Sequence, residues 1–407
     1  MVQRREYLNQ LKQWKDEKVI KVITGLRRCG KSTLLQMFRD HLESSGILPE
    51  QIIFINFEDI EFENLLDYKK LYQYICDRLV PDKMNYIFLD EIQAVSDYQR
   101  AVDSLYLKEN TDIYITGSNA YLLSGELATL LSGRYVEINM LPLSFAEYCE
   151  LVSGNDKESL FAEYMRFGSL PYIASLDPVS EKADIYLEGI YNTIIIKDIE
   201  LRQQRKERDP NKRKVSDTTL LRNISKFLAN SIGSPVSIKS IANYISSNVR
   251  PISQNTVADY VEALVEPYVF YPIERYDVFG KNLLKQNCKY YIVDLGIRRH
   301  LLSRSRYDLG FSLENLVCLE LLRRGYSVNV GKVGSAEVDF VAKKSDQTEY
   351  YQVTASMVDE STFDREISPL KSISDNYPKT ILTLDRLSLG NYEGILVKNA
   401  IDWLLDK

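Results

Sequence analysis

The sequence is poor in the residues that ligate transition metals. Its 407 residues include only two histidines, His41 and His300, and five cysteines that are far apart with no Cys-x-x-Cys pair. Zinc centres, disulfide frameworks and Ser-His-Asp triads need more of these residues or better placed ones. Any metal is therefore expected to be bound by carboxylate, hydroxyl and phosphate oxygens, which are the ligands of magnesium.

Long apolar segments are also absent. No window approaches about eighteen uncharged apolar residues, and the start, MVQRREYLNQLKQWKDEK, lacks the apolar stretch of a signal peptide. We therefore expect a cytoplasmic protein that makes no membrane contact and begins with an amphipathic helix. A chain of 407 residues is also too long for one ordinary domain.

Short apolar runs alternate with helical segments over residues 19–140. The runs are VIKVIT (19–24), IIFINFE (52–58), YIFLD (86–90), IYITG (113–117) and YVEINM (135–140). Strands that alternate with crossover helices form a parallel sheet with helices on both faces. This part of the chain is therefore predicted to be an α/β domain.

From residue 141 the pattern becomes helical. Glycine and proline in FGSLP (167–171) end one predicted helix and redirect the chain. The run RQQRKERDPNKRK (202–214) contains seven basic and two acidic residues. We interpret this run either as a solvated linker or as a strip that contacts phosphates.

Residues 216–275 contain three helix candidates followed by the extended segment YVFYPIERYD. Ser237 and Ser253 are the predicted N-caps of the second and third helices. This order is typical of a winged helix-turn-helix. Residues 276–407 return to an α/β pattern, in which AEVDFVAKK, SDQT and EYYQVT predict a strand, a turn and a strand.

A glycine-rich segment lies between the first predicted strand and the helical stretch that follows it. Residues 25–32, GLRRCGKS, fit the pattern G-x-x-x-x-G-K-[ST]. The glycines let the backbone wrap around phosphates, Lys31 can reach the β- and γ-phosphates, and Ser32 can ligate Mg²⁺. The predicted nucleotide-binding residues are Gly25, Leu26, Arg27, Arg28, Cys29, Gly30, Lys31, Ser32 and Thr33.

Acidic and polar residues end two other predicted strands. Asp90 and Glu91 follow YIFL. Asp90 is predicted to hold the magnesium ion through water, and Glu91 to orient or deprotonate the attacking water. At the end of the next strand, IYITGSN, Asn119 is the preferred sensor of the γ-phosphate, with Ser118 and Thr116 as the other candidates.

Three further features near this predicted site have two interpretations each. Arg134 either stabilises transition-state charge, in its own chain or in a neighbouring copy, or forms a surface salt bridge. Arg27 and Arg28 either contact phosphate or hold the loop to acidic neighbours such as Glu58. Cys29 either packs in the loop or confers redox sensitivity, because a thiol pKa can fall at a helix N-terminus.

Together these segments resemble a large family of uncharacterised bacterial and archaeal ATPases of the AAA+ class. The resemblance is carried by VITGLRRCGKSTLL, IFLDEIQ, ITGSNAYLL, LSGRYVEINMLPLSFAEY, FSLENLVCLELLRRG, EVDF and YYQVT, which span most of the chain. It implies that ATP and Mg²⁺ bind at residues 25–33 with Asp90 and Glu91. FGSLP is similar to the Gly-x-Pro lid element of signalling ATPases, which suggests that the lid moves with nucleotide.

The resemblance also implies a domain organisation. The expected order is an AAA+ P-loop core (1–140), a helical lid with a basic linker (141–215), a winged-helix unit (216–275) and an α/β domain similar to the restriction-endonuclease fold (276–407).

The distal domain matches the outline of a nuclease better than its chemistry. The resemblance places four residues at the site of a nuclease or its remnant, namely Glu314, Asp339, Gln352 and Thr354. Active members have a lysine where this chain has Thr354, and a neutral hydroxyl cannot supply that positive charge. The lysines expected to substitute for it, if any does, are Lys332, Lys343 and Lys344.

The winged-helix unit is predicted either to bind DNA or to act as a protein–protein adaptor. Its third helix carries acidic residues that oppose a phosphate backbone, namely Asp259 and Glu262, and Glu266 follows in the same stretch. Asn248, Arg250 and the run 202–214 are better candidates for DNA contacts.

The leading prediction is a Mg²⁺-dependent ATP-binding switch or motor whose P-loop ATPase core is coupled to a catalytically degenerate nuclease-like domain. An ATP-regulated DNA nuclease in defence or genome maintenance is one alternative. A scaffold that binds nucleotide without hydrolysing it is another. The sequence leaves open whether the chain forms a homo-oligomer.

Overall fold

The computed structural model describes residues 2–118, 133–154, 156–176, 181–193, 215, 217–302 and 308–406. The chain divides into two compact units. The first comprises Met1–Pro142 and Glu266–Tyr268, and the second comprises Leu143–Val265 and Val269–Lys407. The first unit thus ends close to the predicted boundary at residue 140, but the sequence does not anticipate that Glu266–Tyr268 belongs to it.

The first unit contains a parallel sheet of five strands. The strands are β1 (Ile20–Thr24), β2 (Ile52–Asn56), β3 (Asn85–Asp90), β4 (Thr111–Gly117) and β5 (Tyr135–Asn139). Their order is β2-β3-β4-β1-β5, and every neighbouring pair is parallel. The α-helices are Arg5–Gln13, Lys31–Ser44, Tyr68–Cys76 and Tyr98–Tyr106, and 3₁₀ turns cover Pro49–Gln51, Ile60–Leu65 and Ile92–Ala94.

The central strands β1, β3 and β4 are buried along their whole length. Burial on both faces is the reason that these strands read as continuous apolar runs rather than as alternating ones. The α/β fold predicted for this part of the chain is therefore confirmed. Because the strands are parallel, the segments that follow β1, β3 and β4 leave the sheet at one edge.

In the second unit, the described residues include nine strands that form one mixed sheet. They are β6 (Pro235–Val236), β7 (Phe270–Asp277), β8 (Asn282–Ile292), β9 (Ser327–Val333), β10 (Ala336–Lys344), β11 (Gln347–Thr354), β12 (Lys379–Thr383), β13 (Gly390–Tyr392) and β14 (Ile395–Asn399). Their order is β13-β14-β12-β11-β10-β9-β7-β8-β6.

The helices of the second unit lie before, between and after these strands along the sequence. They are Phe145–Val152, Lys157–Phe167, Pro171–Ala174, Thr218–Asn230, Ile238–Asn248, Gln254–Val265, Leu295–Leu301, Leu309–Arg323, Glu360–Lys371 and Ala400–Leu405, and residues 181–193 are also helical. Among all the helices that the structure describes, none combines the length and apolar composition needed to cross a bilayer.

The predicted winged helix and the predicted endonuclease-like domain share this sheet. Ser237 and Ser253 cap their helices as expected, since each hydroxyl accepts a backbone N–H from three residues later, at 3.0 and 3.2 Å. The hairpin β7–β8 then pairs with β9, so one strand ladder continues into the distal domain. The predicted boundary at 275/276 falls inside β7 and does not separate two independent sheets.

A buried ion pair joins β1 to β4. The ammonium of Lys21 contacts the carboxylate of Asp112, and neither side chain is exposed to solvent. The second carboxylate oxygen of Asp112 accepts the Tyr114 hydroxyl at 2.8 Å and the Asp16 N–H at 2.9 Å. Both charges are thus hydrogen-bonded, as a buried pair must be to offset its desolvation.

Replacing one member of this pair should destabilise the first unit strongly. Asp112→Ala is expected to lower its free energy of unfolding by about 3–5 kcal/mol, because Lys21 stays buried without its main partner. Asp40→Ala, which removes the exposed partner of Arg39, should cost less than about 1 kcal/mol. Urea unfolding followed by circular dichroism measures both, and equal losses would contradict the assignment.

Candidate active site

The glycine-rich segment forms a tight loop between β1 and the helix Lys31–Ser44. Gly25 has a φ of 142°, and a Cβ atom on it would lie 2.2 Å from the Met140 carbonyl oxygen. Gly30 has a φ of 107° directly before the helix. Residues that carry a side chain rarely adopt these backbone conformations, so the loop requires glycine at both positions. The N–H groups at the start of the helix follow this loop directly, as anion binding requires.

The side chain of Lys31 is buried within the loop, with 3% of it exposed. Its ammonium donates hydrogen bonds to the carbonyl oxygens of Gly25 and Leu26, both at 3.1 Å, and to the Ser118 hydroxyl at 3.0 Å. The carboxylate of Glu91 lies 3.8 Å from the same ammonium. Lys31 therefore connects the loop to the residues that follow β3 and β4.

Asp90 and Glu91 are held by hydroxyl groups at the end of β4. The Thr116 hydroxyl donates to Asp90 Oδ1 at 2.5 Å and accepts the Glu91 N–H at 2.9 Å. The Ser118 hydroxyl donates to Glu91 Oε1 at 2.7 Å. Ser118, one of the other candidate sensors, thus lies between the lysine of the loop and the predicted base.

The two carboxyl groups have opposite pKa shifts. Burial raises the pKa of Asp90, although hydrogen bonds from Ser32 and Thr116 oppose this effect. Burial also favours a raised pKa for Glu91, but the Lys31 charge and hydrogen bonds from Ser118 and Gln93 outweigh it and lower the pKa. Glu91 is therefore held in its charged form, which a general base needs.

The residues at this edge of the sheet fit a magnesium ion. Asp90 Oδ2 is buried and accepts no hydrogen bond from any residue that the structure describes. The Ser32 hydroxyl lies beside the same carboxyl group. A buried carboxylate oxygen that lacks a hydrogen bond needs a further partner, and a hard cation is a suitable one.

The remaining loop residues mostly pack. Arg27 lies 3.7 Å from the Glu58 carboxylate, in agreement with one of its two predicted roles. Its Nε atom is buried and has no hydrogen-bond partner within the described part of the chain. Cys29 has no exposed surface, so a thiol reagent has no direct access to it and the redox alternative loses support.

Of two further residues predicted to act in catalysis, the structure describes only one. Asn119 lies outside the described residues. Arg134 precedes β5, whose first residue, Tyr135, pairs with Ile20 at the start of β1. The loop begins after the other end of β1, roughly 16 Å away at 3.3 Å per residue. Arg134 also pairs with Asp103, so the geometry does not support its action on the phosphates of its own chain.

In the second unit, the residues of the predicted nuclease-like site lie close together. The carboxylate of Asp339, on β10, accepts the Val353 N–H at 2.8 Å, and the Asp339 N–H donates to the Gln352 side-chain oxygen at 3.2 Å. Thr354 donates its hydroxyl to the Ser356 carbonyl at 3.1 Å. The four residues predicted for this site are at most 9% exposed, so the cluster is part of the protein interior. They are Glu314, Asp339, Gln352 and Thr354.

A lysine that the sequence did not single out lies among these carboxylates. The ammonium of Lys289, on β8, lies 3.0 Å from Glu314, 2.7 Å from Glu337 and 3.8 Å from Asp339. Two of the three lysines expected there point elsewhere, since Lys343 lies over the Tyr276 ring and Lys344 donates to a backbone carbonyl. Lys289 reaches the cluster only because β8 and β10 belong to the same sheet, which no local pattern reveals.

The charged groups of this cluster shift one another's pKa values. Burial alone would lower the pKa of Lys289, but the carboxylates of Glu314, Asp339 and Glu337 outweigh burial and raise it. Burial raises the pKa of Glu314 and, strongly, that of Asp339, although Lys289 opposes both shifts. Over the part of the chain covered by the structure, no group of three or more His, Cys, Asp or Glu residues is arranged to hold a metal ion.

The segment FGSLP is fixed within the second unit. The N–H and the hydroxyl of Ser169 donate to the buried carboxylate of Asp294, at 2.5 and 2.8 Å. Gly168 has a φ of 90°, and a Cβ atom on it would meet the same carboxylate at 2.4 Å. The nucleotide-dependent movement implied for this segment therefore requires these hydrogen bonds to move with it, and it stays a prediction.

The residues favoured for DNA contacts are engaged within the chain. Arg250 pairs with Asp217 at 2.7 Å, and the Asn248 side chain donates to the Tyr244 carbonyl at 2.8 Å. The basic run 202–214 lies outside the described residues. DNA binding by the winged-helix unit, like its use as a protein adaptor, stays a prediction.

Comparison with known proteins agrees with the fold of the first unit. An AAA domain family matches residues 17–149, and a domain of unknown function (DUF8612) matches residues 158–308. The Walker-type ATPase PABY2304 of Pyrococcus abyssi has a similar fold, with a TM-score of 0.50 and 13% identity over 74% of this chain and 96% of its own. That likeness supports the fold alone.

Two relatives match along nearly the whole chain. An uncharacterised protein of Haemophilus influenzae is 41% identical over 411 residues, which cover 100% of this chain and 99% of its own. The uncharacterised protein MJ1544 of Methanocaldococcus jannaschii is 31% identical over 391 residues, which cover 91% of this chain and 81% of its own. The chain therefore belongs to the bacterial and archaeal family of AAA-domain proteins that includes these two relatives.

Proposed function

We propose that this protein is a Mg²⁺-dependent ATPase of the AAA+ class that works as a nucleotide-driven switch or motor. The observation that carries this proposal is the contact of the Ser118 hydroxyl with both Lys31 and Glu91. This hydroxyl links the residue that would bind the triphosphate to the residue that would activate water. A scaffold that only binds nucleotide has no need of that link.

The charges around Lys31 suggest how binding leads to hydrolysis. An entering γ-phosphate would compete with Glu91 and Ser118 for the Lys31 ammonium, because it carries more negative charge. Once Ser118 turns to the phosphate, Glu91 Oε1 is free to accept a proton from water. Bound Mg²⁺ supplies neutralising charge for the phosphates, and Asp90 and Ser32 are the residues in position to hold it.

Two substitutions separate binding from hydrolysis. Lys31→Ala should abolish binding of Mg·ATP in titration calorimetry, because the loop loses its cation. Glu91→Gln should keep binding but lower the rate of hydrolysis by about 10²–10⁴-fold, since the amide cannot act as a base. The control is Lys70→Ala, which removes an exposed ammonium from the helix Tyr68–Cys76 and should change neither quantity.

The same measurements can contradict the proposal. A wild-type protein that is folded but gives no heat with Mg·ATP would overturn it. Binding with equal residual hydrolysis by wild type and Glu91→Gln, with and without DNA, would favour the scaffold alternative.

For Arg134 we propose a role toward a neighbouring copy of the chain. Its position at the amino end of β5 argues against a role in its own chain, and its side chain is 40% exposed. The ion pair with Asp103 and the contact with the Tyr106 ring, 5.4 Å from the guanidinium carbon, would have to be given up in such an assembly.

A mixing experiment tests this role. Arg134→Ala and Glu91→Gln should each hydrolyse ATP poorly, but an equimolar mixture should recover part of the wild-type rate. The recovery is expected because Glu91→Gln subunits supply Arg134 to subunits that retain Glu91. A mixture no faster than the mean of its components, together with sedimentation of a monomer in the presence of an ATP analogue, would leave Arg134 as a surface ion pair.

The coupling of the ATPase to the rest of the chain is supported by the segment Glu266–Tyr268. The Tyr268 hydroxyl donates to Glu137 at 3.1 Å, and the same carboxylate oxygen accepts the Thr24 hydroxyl at 2.7 Å. Thr24 directly precedes the phosphate-binding loop. We therefore propose that rearrangement of the loop shifts the hydrogen bonds of Tyr268. The chain neighbours of Tyr268 belong to the second unit.

For the distal domain we propose a nuclease-like fold without nuclease activity. Lys289 supplies a positive charge in contact with Glu314, Glu337 and Asp339. In an active nuclease of this fold a divalent cation would have that role. This buried ammonium contacts all three carboxyl groups and so takes the position from which a metal ion would have to contact them.

Removing this ammonium should open the cluster to metal. In Lys289→Met, Mn²⁺ at 100 times its Kd is expected to stabilise the protein by about 2.7 kcal/mol. The melting temperature should therefore rise by more than any shift that Mn²⁺ causes in wild type through the site at Asp90. Lys343→Met, which removes an ammonium outside the cluster, is the matched control. Magnesium-dependent DNA cleavage by wild type that Asp339→Ala abolishes would instead favour the nuclease alternative.

A further inference from the structure

Arg4 is a buried arginine beside the phosphate-binding loop. It precedes the helix Arg5–Gln13 and is 3% exposed. One terminal nitrogen, Nη1, donates to the Cys29 carbonyl oxygen at 3.0 Å. The other, Nη2, donates to the carbonyl oxygens of Leu141 at 2.7 Å and Pro142 at 3.2 Å. A single guanidinium therefore joins the N-terminal segment, the loop and the segment that follows β5.

The surroundings of Arg4 hold this guanidinium in place. Its central carbon lies 5.1 Å from the centroid of the Tyr7 ring. The Tyr7 hydroxyl in turn accepts the Leu141 N–H at 3.0 Å. Residue 140 touches the loop as well, because the Met140 carbonyl leaves no room for a side chain on Gly25. The segment 140–142 therefore contacts the loop directly at one end and through Arg4 at the other.

The carbonyl that binds Arg4 belongs to the peptide group between Cys29 and Gly30. In a planar trans peptide, the C=O and N–H bonds point in opposite directions. Holding the Cys29 carbonyl toward Arg4 therefore turns the Gly30 N–H away from it. In loops of the pattern G-x-x-x-x-G-K-[ST], such backbone N–H groups are the donors that hold the phosphates.

We propose that Arg4 is a positioning residue for nucleotide binding, which holds the Cys29–Gly30 peptide group in the orientation that phosphate requires. The inference rests on the proposed ATPase function and adds to it a residue from outside the loop. An arginine suits this role because its planar fork of donors reaches two segments at once, whereas a lysine ammonium is a point donor. Its hydrogen bonds are also charge-assisted and therefore strong.

The test compares Arg4→Met and Arg4→Lys in the full chain. For Arg4→Met we expect the Kd for Mg·ATP and the KM to rise about 10- to 100-fold, the loss of one or two units of 1.4 kcal/mol. The kcat should change by less than about threefold, because Arg4 contacts no reacting atom. The Kd and KM of Arg4→Lys should lie between those of wild type and those of Arg4→Met. Lys12→Gln, an exposed change on the neighbouring helix, is the matched control.

Chemical rescue separates positioning from a general loss of folding. Millimolar guanidinium should recover part of the affinity of Arg4→Ala for Mg·ATP, and ammonium at equal ionic strength should not. Circular dichroism and the melting temperature of each variant check its fold, and if Arg4→Met does not fold, Arg4→Lys and the rescued Arg4→Ala decide.

Two outcomes would overturn the inference while leaving the ATPase proposal intact. One is wild-type affinity for Mg·ATP in the folded variants. The other is a lower melting temperature with Kd and KM unchanged, which would show a purely structural role. A wild-type chain that does not bind Mg·ATP would overturn the proposed function itself, and is distinguished by the first titration.

Discussion

The candidate site depends on the parallel alignment of β1, β3 and β4. Parallel neighbours bring their carboxyl ends to one edge of the sheet, so the loop after β1, the acidic pair after β3 and the hydroxyls at the end of β4 meet there. The buried pair of Lys21 and Asp112 joins β1 to β4. The precise distances around Lys31 are therefore set by strand register rather than by the loop alone.

The chain holds its buried cations in different ways, and the difference bears on function. The Lys31 ammonium is bound mainly by neutral oxygens, with one carboxylate at 3.8 Å. A phosphate can displace such partners at modest electrostatic cost. The Lys289 ammonium lies among three carboxylates, and separating it from them would leave several buried charges uncompensated. The first arrangement suits an ammonium that exchanges its protein partners for a ligand. The second suits an ammonium that keeps its protein partners.

Much of the fold followed from local patterns in the sequence. All five strands of the first unit were predicted within a few residues. The three central ones are buried on both faces and therefore need continuous apolar runs. The helix caps at Ser237 and Ser253 were also predicted, since capping is a local interaction. The shared nine-stranded sheet and the placement of Glu266–Tyr268 in the first unit were not, because strand pairing between distant segments leaves no local signature.

The sequence by itself determined the phosphate-binding loop and the acidic pair, because the chemistry of each is contained in a few consecutive residues. Tertiary structure alone decided which side chains surround them. It brought Arg4 to the Cys29 carbonyl and Lys289 to Asp339, and it separated Arg134 from the loop of its own chain. The two contacts join residues 25 and 50 positions apart, and only the register and order of the strands fix which residues meet.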